Sequence, residues 1–102
     1  MPNSRSKQSM LAVLKQRAAA QVAMYPQYNG HFRSYVLCRI RADLKTKMGL
    51  AFKEGEVAIC DPQVGFGGSP SFRNVWSMRN AVDTSVPSSL VEVIGAKGRR
   101  RR

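Results

Sequence analysis

The sequence has few of the residues from which metal sites are usually built. It holds one histidine, His31, and two cysteines, Cys38 and Cys60, which do not form a CxxC pair. A usual zinc site takes four such ligands at characteristic spacings, so we expect neither a metal nor another cofactor. Both cysteines lie inside apolar runs, which favours buried free thiols over a disulfide.

The residues of a catalytic centre are also missing. No histidine, nucleophile and acid occur as a recognisable set, and no carboxylate pair has a suitable context. The stretch Gly65 to Gly68 is rich in glycine, but no Lys-Ser/Thr pair and no predicted helix follow it, so it is not a phosphate-binding loop. His31 has no acid near it in the sequence, and we predict that it faces solvent. The sequence therefore predicts a protein that is not an enzyme.

Long apolar runs are absent. A membrane helix needs roughly 20 apolar residues, and the stretch Met10–Leu14 is followed at once by Lys15 and Arg17, which also argues against a secretory signal. We expect an intracellular (cytoplasmic) location or a place within a virion. A mitochondrial location stays open, because the basic N-terminus carries no acid before Asp43. So does a nuclear one, because the arginine tail fits a nuclear localisation signal.

Acidic residues are scarce beside basic ones. The 102 residues include 17 Lys and Arg against 6 Asp and Glu, for a net charge of +11 and a pI near 10.7. Such an excess favours a polyanionic partner, namely nucleic acid, an acidic protein face or an anionic membrane. The alternative is a solvated basic surface. The length and the 43% of apolar residues predict one globular domain with a modest core.

The N-terminal third predicts an arm and a helix. Residues Met1 to Gln8 are polar and basic and predict a mobile arm. Apolar residues at helical spacing then predict a helix over about residues 9–24, which Tyr25-Pro26 ends. This stripe packs either on the rest of the domain or on another subunit. Its candidate protein-interface residues are Leu11, Leu14 and Val22.

The remainder predicts short strands separated by turns. Tyr35 to Ala42 alternates, with Cys38 and Ile40 on the face that we expect to be buried. A polar turn is predicted from Asp43 to Met48. Further strands are predicted at Val57–Cys60, Phe72–Met78, Thr84–Val86 and Val91–Ile94, with a helical turn at Pro87–Leu90. From Gly95 to Arg102 the chain is a basic tail with too few apolar residues to fold alone.

Three stretches in this order resemble the Src-homology-3 (SH3) family. They are Leu50 to Val57, which matches Leu-x-Phe-x-x-Gly-Asp/Glu-x-Val/Ile, then Trp76 as the tryptophan at the start of the third strand, and Val86 to Glu92 as the closing Val-Pro-Ser segment. The resemblance covers about residues 36–94. It implies a mainly β fold, an SH3-like five-stranded small barrel, here with an N-terminal amphipathic helix and basic terminal tails. The predicted boundaries are an arm at 1–8, the helix and connecting loop at 9–34, the barrel at 35–94 and the arginine tail at 95–102.

The departures from the family bear on function. SH3 domains bind proline-rich peptides on a row of aromatic residues, of which only Trp76 and Pro87 remain, since Leu90 replaces a tyrosine. Lys45 and Lys47 stand where the family has ligand-facing acids. A proline-rich peptide is therefore the less expected ligand. Trp76, Pro87 and Leu90 remain candidate protein-interface residues.

The charge gives the leading hypothesis, a barrel that associates with nucleic acid or another polyanion without sequence specificity. The candidate nucleic-acid-binding residues are Arg39, Arg41, Lys45, Lys47, Lys97, Arg99, Arg100, Arg101 and Arg102. One alternative is a structural or assembly subunit of a larger particle, such as a phage virion, with barrel and helix as protein–protein interfaces. Another is a peptide-binding adaptor of SH3 type. The aromatic residues Tyr25, Tyr28 and Phe32 either stack on bases or pack the helix onto the barrel.

Overall fold

One helix precedes a series of short strands in the computed structural model, which describes residues 3–62 and 71–95. Helix α1 spans Asn3–Gln21, and a 3-10 turn at Pro26–Tyr28 follows it. The strands are β1 (Val36–Ile40), β2 (Leu44–Thr46), β3 (Gly49–Phe52), β4 (Val57–Cys60), β5 (Phe72–Ser77), β6 (Val82–Pro87) and β7 (Val91–Val93). A second 3-10 turn, at Ser88–Leu90, leads directly into β7.

Five of the strands form one antiparallel sheet in the order β6-β5-β4-β1-β7, which curls into a half-barrel. The prediction of a mainly β fold is confirmed, and the five strands of this sheet fit the predicted five-stranded barrel, of which the curled sheet forms a half. Strands β2 and β3 form a separate two-stranded hairpin. Asp43 to Met48 is not only a polar turn, as was predicted. Leu44 packs against the core and begins strand β2.

The concave face of the sheet holds the inner core. Cys38 and Ile40 of β1 point into it, as the alternation predicted, and both are fully buried. Side chains from the other strands complete this cluster, namely Ala51, Phe52, Ala58, Cys60, Val75, Val86 and Val91. Burying each large apolar side chain contributes on the order of 2 kcal/mol, so this cluster is the main source of stability in the sheet.

The outer face of the sheet is covered by helix α1 and by the segment that follows it. Ala18 and Val22 are buried in a second cluster with Ile59 and Trp76, and Leu11 and Leu14 pack against its edge. Of the two alternatives for the apolar stripe of the helix, packing on the protein's own sheet is therefore the one adopted.

The ends of α1 differ from the prediction. The helix begins at Asn3, inside the segment 1–8 predicted as an arm, and it ends at Gln21 rather than near residue 24. At its C-terminal end the N–H groups of Val22 and Ala23 donate hydrogen bonds to the carbonyls of Ala19 and Ala20, three residues earlier in the chain. This tighter bonding is usual in a last helical turn, and it ends the helix before the proline does.

Candidate functional site

Lys45 and Lys47 lie on the β2–β3 hairpin, which is anchored at its base. Leu44 packs against the inner core. The Oδ1 atom of Asp43 accepts a 2.7 Å hydrogen bond from the backbone N–H of Glu54, across the two ends of the hairpin. The hairpin is therefore fixed to the rest of the domain, although both lysine side chains are exposed.

The tip of the hairpin is closed by its own side chains. Thr46 Oγ1 accepts a 3.0 Å hydrogen bond from the N–H of Met48 and donates one of 3.3 Å to the carbonyl of Gly49. Gly49 has a φ of 106°, which glycine adopts without steric cost. The turn presents Lys47 beside Met48, whose side chain is 62% exposed.

The two arginines of the candidate set differ in their surroundings. Arg39 lies on the outer face of β1, half-exposed, with its guanidinium 3.9 Å from the carboxylate of Glu92 on β7. Arg41 follows the end of β1 and is exposed, and its backbone N–H donates a 2.9 Å hydrogen bond to the carbonyl of Leu90. Exposed pairs such as Arg39–Glu92 contribute at most about 1 kcal/mol, so Arg39 remains available to another anion.

The acidic residues do not balance the positive charge. Of the 17 Lys and Arg, five lie within residues 97–102, outside the described residues. The other 12 still outnumber the 6 Asp and Glu of the chain two to one. Most of these acids serve internal contacts: Glu56 accepts a hydrogen bond from the N–H of Lys53 and pairs with Arg79. Within the described residues, Arg41, Lys45 and Lys47 have no carboxylate partner. These three exposed side chains are together called the basic surface.

Trp76 is buried by the protein's own chain. Its side chain is 1% exposed, and its indole Nε1 donates a 2.8 Å hydrogen bond to Gln21 Oε1 at the end of α1. The rings of Phe32 and Tyr28 contact it edge to face, with centroid distances of 4.8 and 6.3 Å. In this conformation Trp76 offers no surface to a peptide.

The position of Trp76 also differs from the motif. It is the fifth residue of the six-residue strand β5 rather than its first. Phe72 begins the strand, is 42% exposed and lies directly opposite Pro87 on β6. Pro87 and Leu90 are half-buried. The exposed aromatic ring beside the proline is therefore that of Phe72, which was not predicted from the sequence as an interface residue.

The predicted interface residues of the helix lie against the sheet. Val22 is 6% exposed, and Leu11 and Leu14 are partly buried at the edge of the same cluster. Phe32 is 5% exposed in that cluster, so it packs the connecting segment onto the sheet. Tyr25, in contrast, keeps 50% of its surface exposed.

His31 is not a solvent-facing side chain, and that prediction was wrong. Its Nε2 lies 2.7 Å from Asp83 Oδ2 and 3.2 Å from the hydroxyl of Tyr35. The Tyr35 hydroxyl donates a 2.8 Å hydrogen bond to the other carboxylate oxygen, Oδ1. Burial, followed by the charge of Asp83, raises the pKa of the Tyr35 phenol. The cluster was missed because Asp83 lies 52 positions from His31 in the sequence.

This cluster fastens the connecting segment to the sheet. The raised pKa keeps the Tyr35 phenol protonated, so it is a donor and not a base. Asp83 stands directly opposite Trp76 in the β5–β6 register. The three polar groups therefore bond each other at the edge of the aromatic cluster.

The two cysteines are free thiols buried in the inner core. They lie on neighbouring strands, with Cys60 opposite Val36 and Cys38 opposite Ala58. A hydrogen bond with Cys60, together with burial, raises the pKa of the Cys38 thiol. The same hydrogen bond lowers the pKa of the Cys60 thiol, so only the Cys38 thiol is held protonated, which makes it a poor nucleophile.

Other kinds of site find no support in the part of the chain described. Within residues 3–62 and 71–95, no group of three or more His, Cys, Asp and Glu could hold a metal ion. No helix among these residues is long and apolar enough to span a membrane. The tail cations Lys97, Arg99, Arg100, Arg101 and Arg102 lie outside the described residues.

Comparisons of the chain with protein-family models, with curated proteins and with solved structures find no match.

Proposed function

We propose that this chain is a non-enzymatic, SH3-like barrel module that associates with nucleic acid through phosphate contacts and without sequence specificity. One observation carries the proposal. The basic surface of Arg41, Lys45 and Lys47 is exposed and lacks carboxylate partners within the described residues, while most of the acids serve internal contacts. The basic residues of the tail add to it from outside the described residues.

Phosphate binding follows from the chemistry of these side chains. Each lysine or arginine that neutralises a phosphate releases condensed counterions, which drives association at low salt. Such contacts go to the backbone of the nucleic acid and carry no sequence information. The anchored base of the hairpin, where Asp43 binds the Glu54 N–H, limits the entropy lost when the lysines engage the ligand.

The arrangement of the strands supports the SH3-like part of the proposal. The family places a long loop between its first two strands, and here the β2–β3 hairpin lies between β1 and β4, which pair with each other. A 3-10 turn at Ser88–Leu90 precedes the last strand, β7, which returns to pair with β1. The closing motif from Val86 to Glu92 runs from the end of β6 through this turn into β7.

The experiment removes charge from the hairpin without changing its shape. Lys45→Gln/Lys47→Gln should weaken binding to a short duplex and to a single strand alike, several-fold at moderate salt, because each lost phosphate contact acts on both. The matched control, Lys45→Arg/Lys47→Arg, keeps the charge and should bind as the parent does. Equal affinity of the parent and the glutamine variant would remove the hairpin from the proposal.

A protein interface at Phe72 is the second candidate function. The ring of Phe72 is 42% exposed and lies opposite Pro87, beside the 3-10 turn whose Leu90 carbonyl binds the N–H of Arg41. Aromatic side chains are enriched at interfaces between proteins. Self-association lost on Phe72→Ser, measured by sedimentation, would favour the assembly alternative, whereas a monomer in both proteins would count against it.

A further inference from the structure

A cleft opens between the end of helix α1 and the turn that joins β5 to β6. Its volume is about 340 Å³, within the range of roughly 300–1,000 Å³ that is usual for small-molecule sites. Among the described residues, no charged side chain lines it. The lining residues are Gln21, Val22, Tyr25, Gln27, Tyr28 and Ala81.

The aromatic wall of the cleft is held in place by short-range contacts. The backbone N–H of Tyr25 donates a 2.9 Å hydrogen bond to the Val22 carbonyl, and the N–H of Tyr28 donates one of 2.9 Å to the Tyr25 carbonyl. The Tyr28 ring meets the buried Trp76 ring edge to face. The two tyrosine rings stand 6.4 Å apart at 70°. Tyr25 therefore exposes half its surface on a fixed turn.

Two amide side chains, Gln21 and Gln27, contribute polar groups to the cleft. Gln21 Oε1 accepts from Trp76, and its Nε2 donates a 2.7 Å hydrogen bond to the Met78 carbonyl. An amide can make four hydrogen bonds, so towards the described part of the chain each end of the Gln21 amide keeps one hydrogen-bonding capacity unused. The Gln27 side chain is exposed and adds a second amide. An aromatic face beside amide donors and acceptors suits a flat ligand with a hydrogen-bonding edge.

The electrostatics favour a neutral group in the cleft and an anion beside it. The C-terminal end of a helix repels anions, and the end of α1 forms one wall. Arg17 lies four residues before Gln21, on the same side of the helix, and its side chain is exposed. A nucleotide has this pattern, because its base is neutral and its phosphate is not.

We infer that the cleft takes one unpaired nucleobase of a single-stranded nucleic acid. The base stacks on the ring of Tyr25, its edge hydrogen-bonds to Gln21 and Gln27, and its phosphate lies towards Arg17. This inference rests on the proposed binding of nucleic acid and adds a preference for unpaired strands. Stacking tolerates any base, so sequence specificity remains low.

The test compares two ligands with equal charge, oligothymidylate and an abasic sugar-phosphate strand of the same length, by fluorescence anisotropy. The parent chain should bind oligothymidylate the more tightly. Tyr25→Leu should weaken binding of oligothymidylate roughly tenfold and leave binding of the abasic strand unchanged, while Tyr25→Phe should bind as the parent does. Tyr25 is half-exposed, so we expect the thermal midpoint of Tyr25→Leu to stay close to that of the parent.

Phe72→Leu is the matched control, because it removes another exposed ring at the far end of β5 from Trp76. An equal loss with this variant, or no loss with Tyr25→Leu, would overturn the inference and leave the proposed function standing. Failure of the parent to bind either strand would overturn the proposed function itself.

Discussion

The hydroxyl of Tyr35 donates a 2.8 Å hydrogen bond to the carboxylate of Asp83, which joins the segment before β1 to strand β6. His31 binds the other oxygen of the same carboxylate. This contact fastens the connecting segment over the outer face of the sheet, next to Trp76. The covering of that face therefore depends on polar bonds as well as on the apolar cluster.

Tyr35→Phe should lower the free energy of unfolding by about 1–3 kcal/mol, because it removes a donor from a partly buried carboxylate. Asp83→Asn should act on the same bond, so the two changes together should cost less than the sum of their separate effects. Urea unfolding measures all three variants. Tyr25→Phe, which alters an exposed tyrosine, is the control. Strict additivity would mean that the bond contributes nothing of its own.

Stability should fall at alkaline pH because of Tyr35. Its pKa is raised in the folded protein above the ordinary value of about 10. Above about pH 10 the unfolded chain loses this proton while the folded chain keeps it, so unfolding becomes more favourable by up to ~1.4 kcal/mol per pH unit. The stabilisation is fully present below pH 10. Subtracting the pH profile of Tyr35→Phe isolates this contribution, and parallel profiles would contradict it.

Trp76→Ala should destabilise the protein by about 3–5 kcal/mol. The substitution empties the centre of the outer cluster and releases Gln21, Phe32 and Tyr28 together. Urea unfolding followed by circular dichroism should show the loss. Phe72→Ala, which truncates a half-exposed ring on the same strand, should cost much less. Equal costs would indicate that the helix covers the sheet without depending on Trp76.

Ala81→Gly should raise stability slightly. Ala81 has a φ of 53°, a left-handed conformation that costs about 1–2 kcal/mol for a residue with a side chain. Glycine removes this strain but adds ~0.4–1 kcal/mol of unfolded-state entropy, so the net gain is roughly 0.5 kcal/mol. Ala20→Gly, on the exposed side of α1, should instead destabilise by about 1 kcal/mol. A lower thermal midpoint for Ala81→Gly would refute the strain at this turn.

The sequence predicted those parts of the fold that local patterns encode. Alternation from Tyr35 to Ala42 identified the inner face of β1, and the apolar stripe with Leu11, Leu14 and Val22 identified the side of α1 that packs. The run Val57–Cys60 matched strand β4 at both ends. In the helix the periodicity of a few neighbouring residues indicates which side is buried, whereas β1 and β4 also bury residues of the opposite face, Leu37 and Ile59.

Contacts between distant residues could not be read in the same way. The partner of His31 is Asp83, and no sequence pattern around either residue predicts this contact. Trp76 fitted a ligand groove by motif, but the helix end that covers it, at Gln21, lies 55 positions away. The cleft beside Tyr25 likewise requires Ala81 as its opposite wall. Such sites arise from how the elements pack and carry no local signature.

Binding to nucleic acid across a salt series, with the full chain and with a chain that ends at Gly95, tests the central claim most directly. Removing Lys97 and the four arginines after Gly98 should leave the fold intact and flatten the plot of log affinity against log salt, because each lost phosphate contact reduces the slope by about 0.7–0.9. A steep slope for the full chain and a shallower one for the shorter chain is the predicted result. No binding at moderate salt, or an affinity that salt does not change, would contradict it.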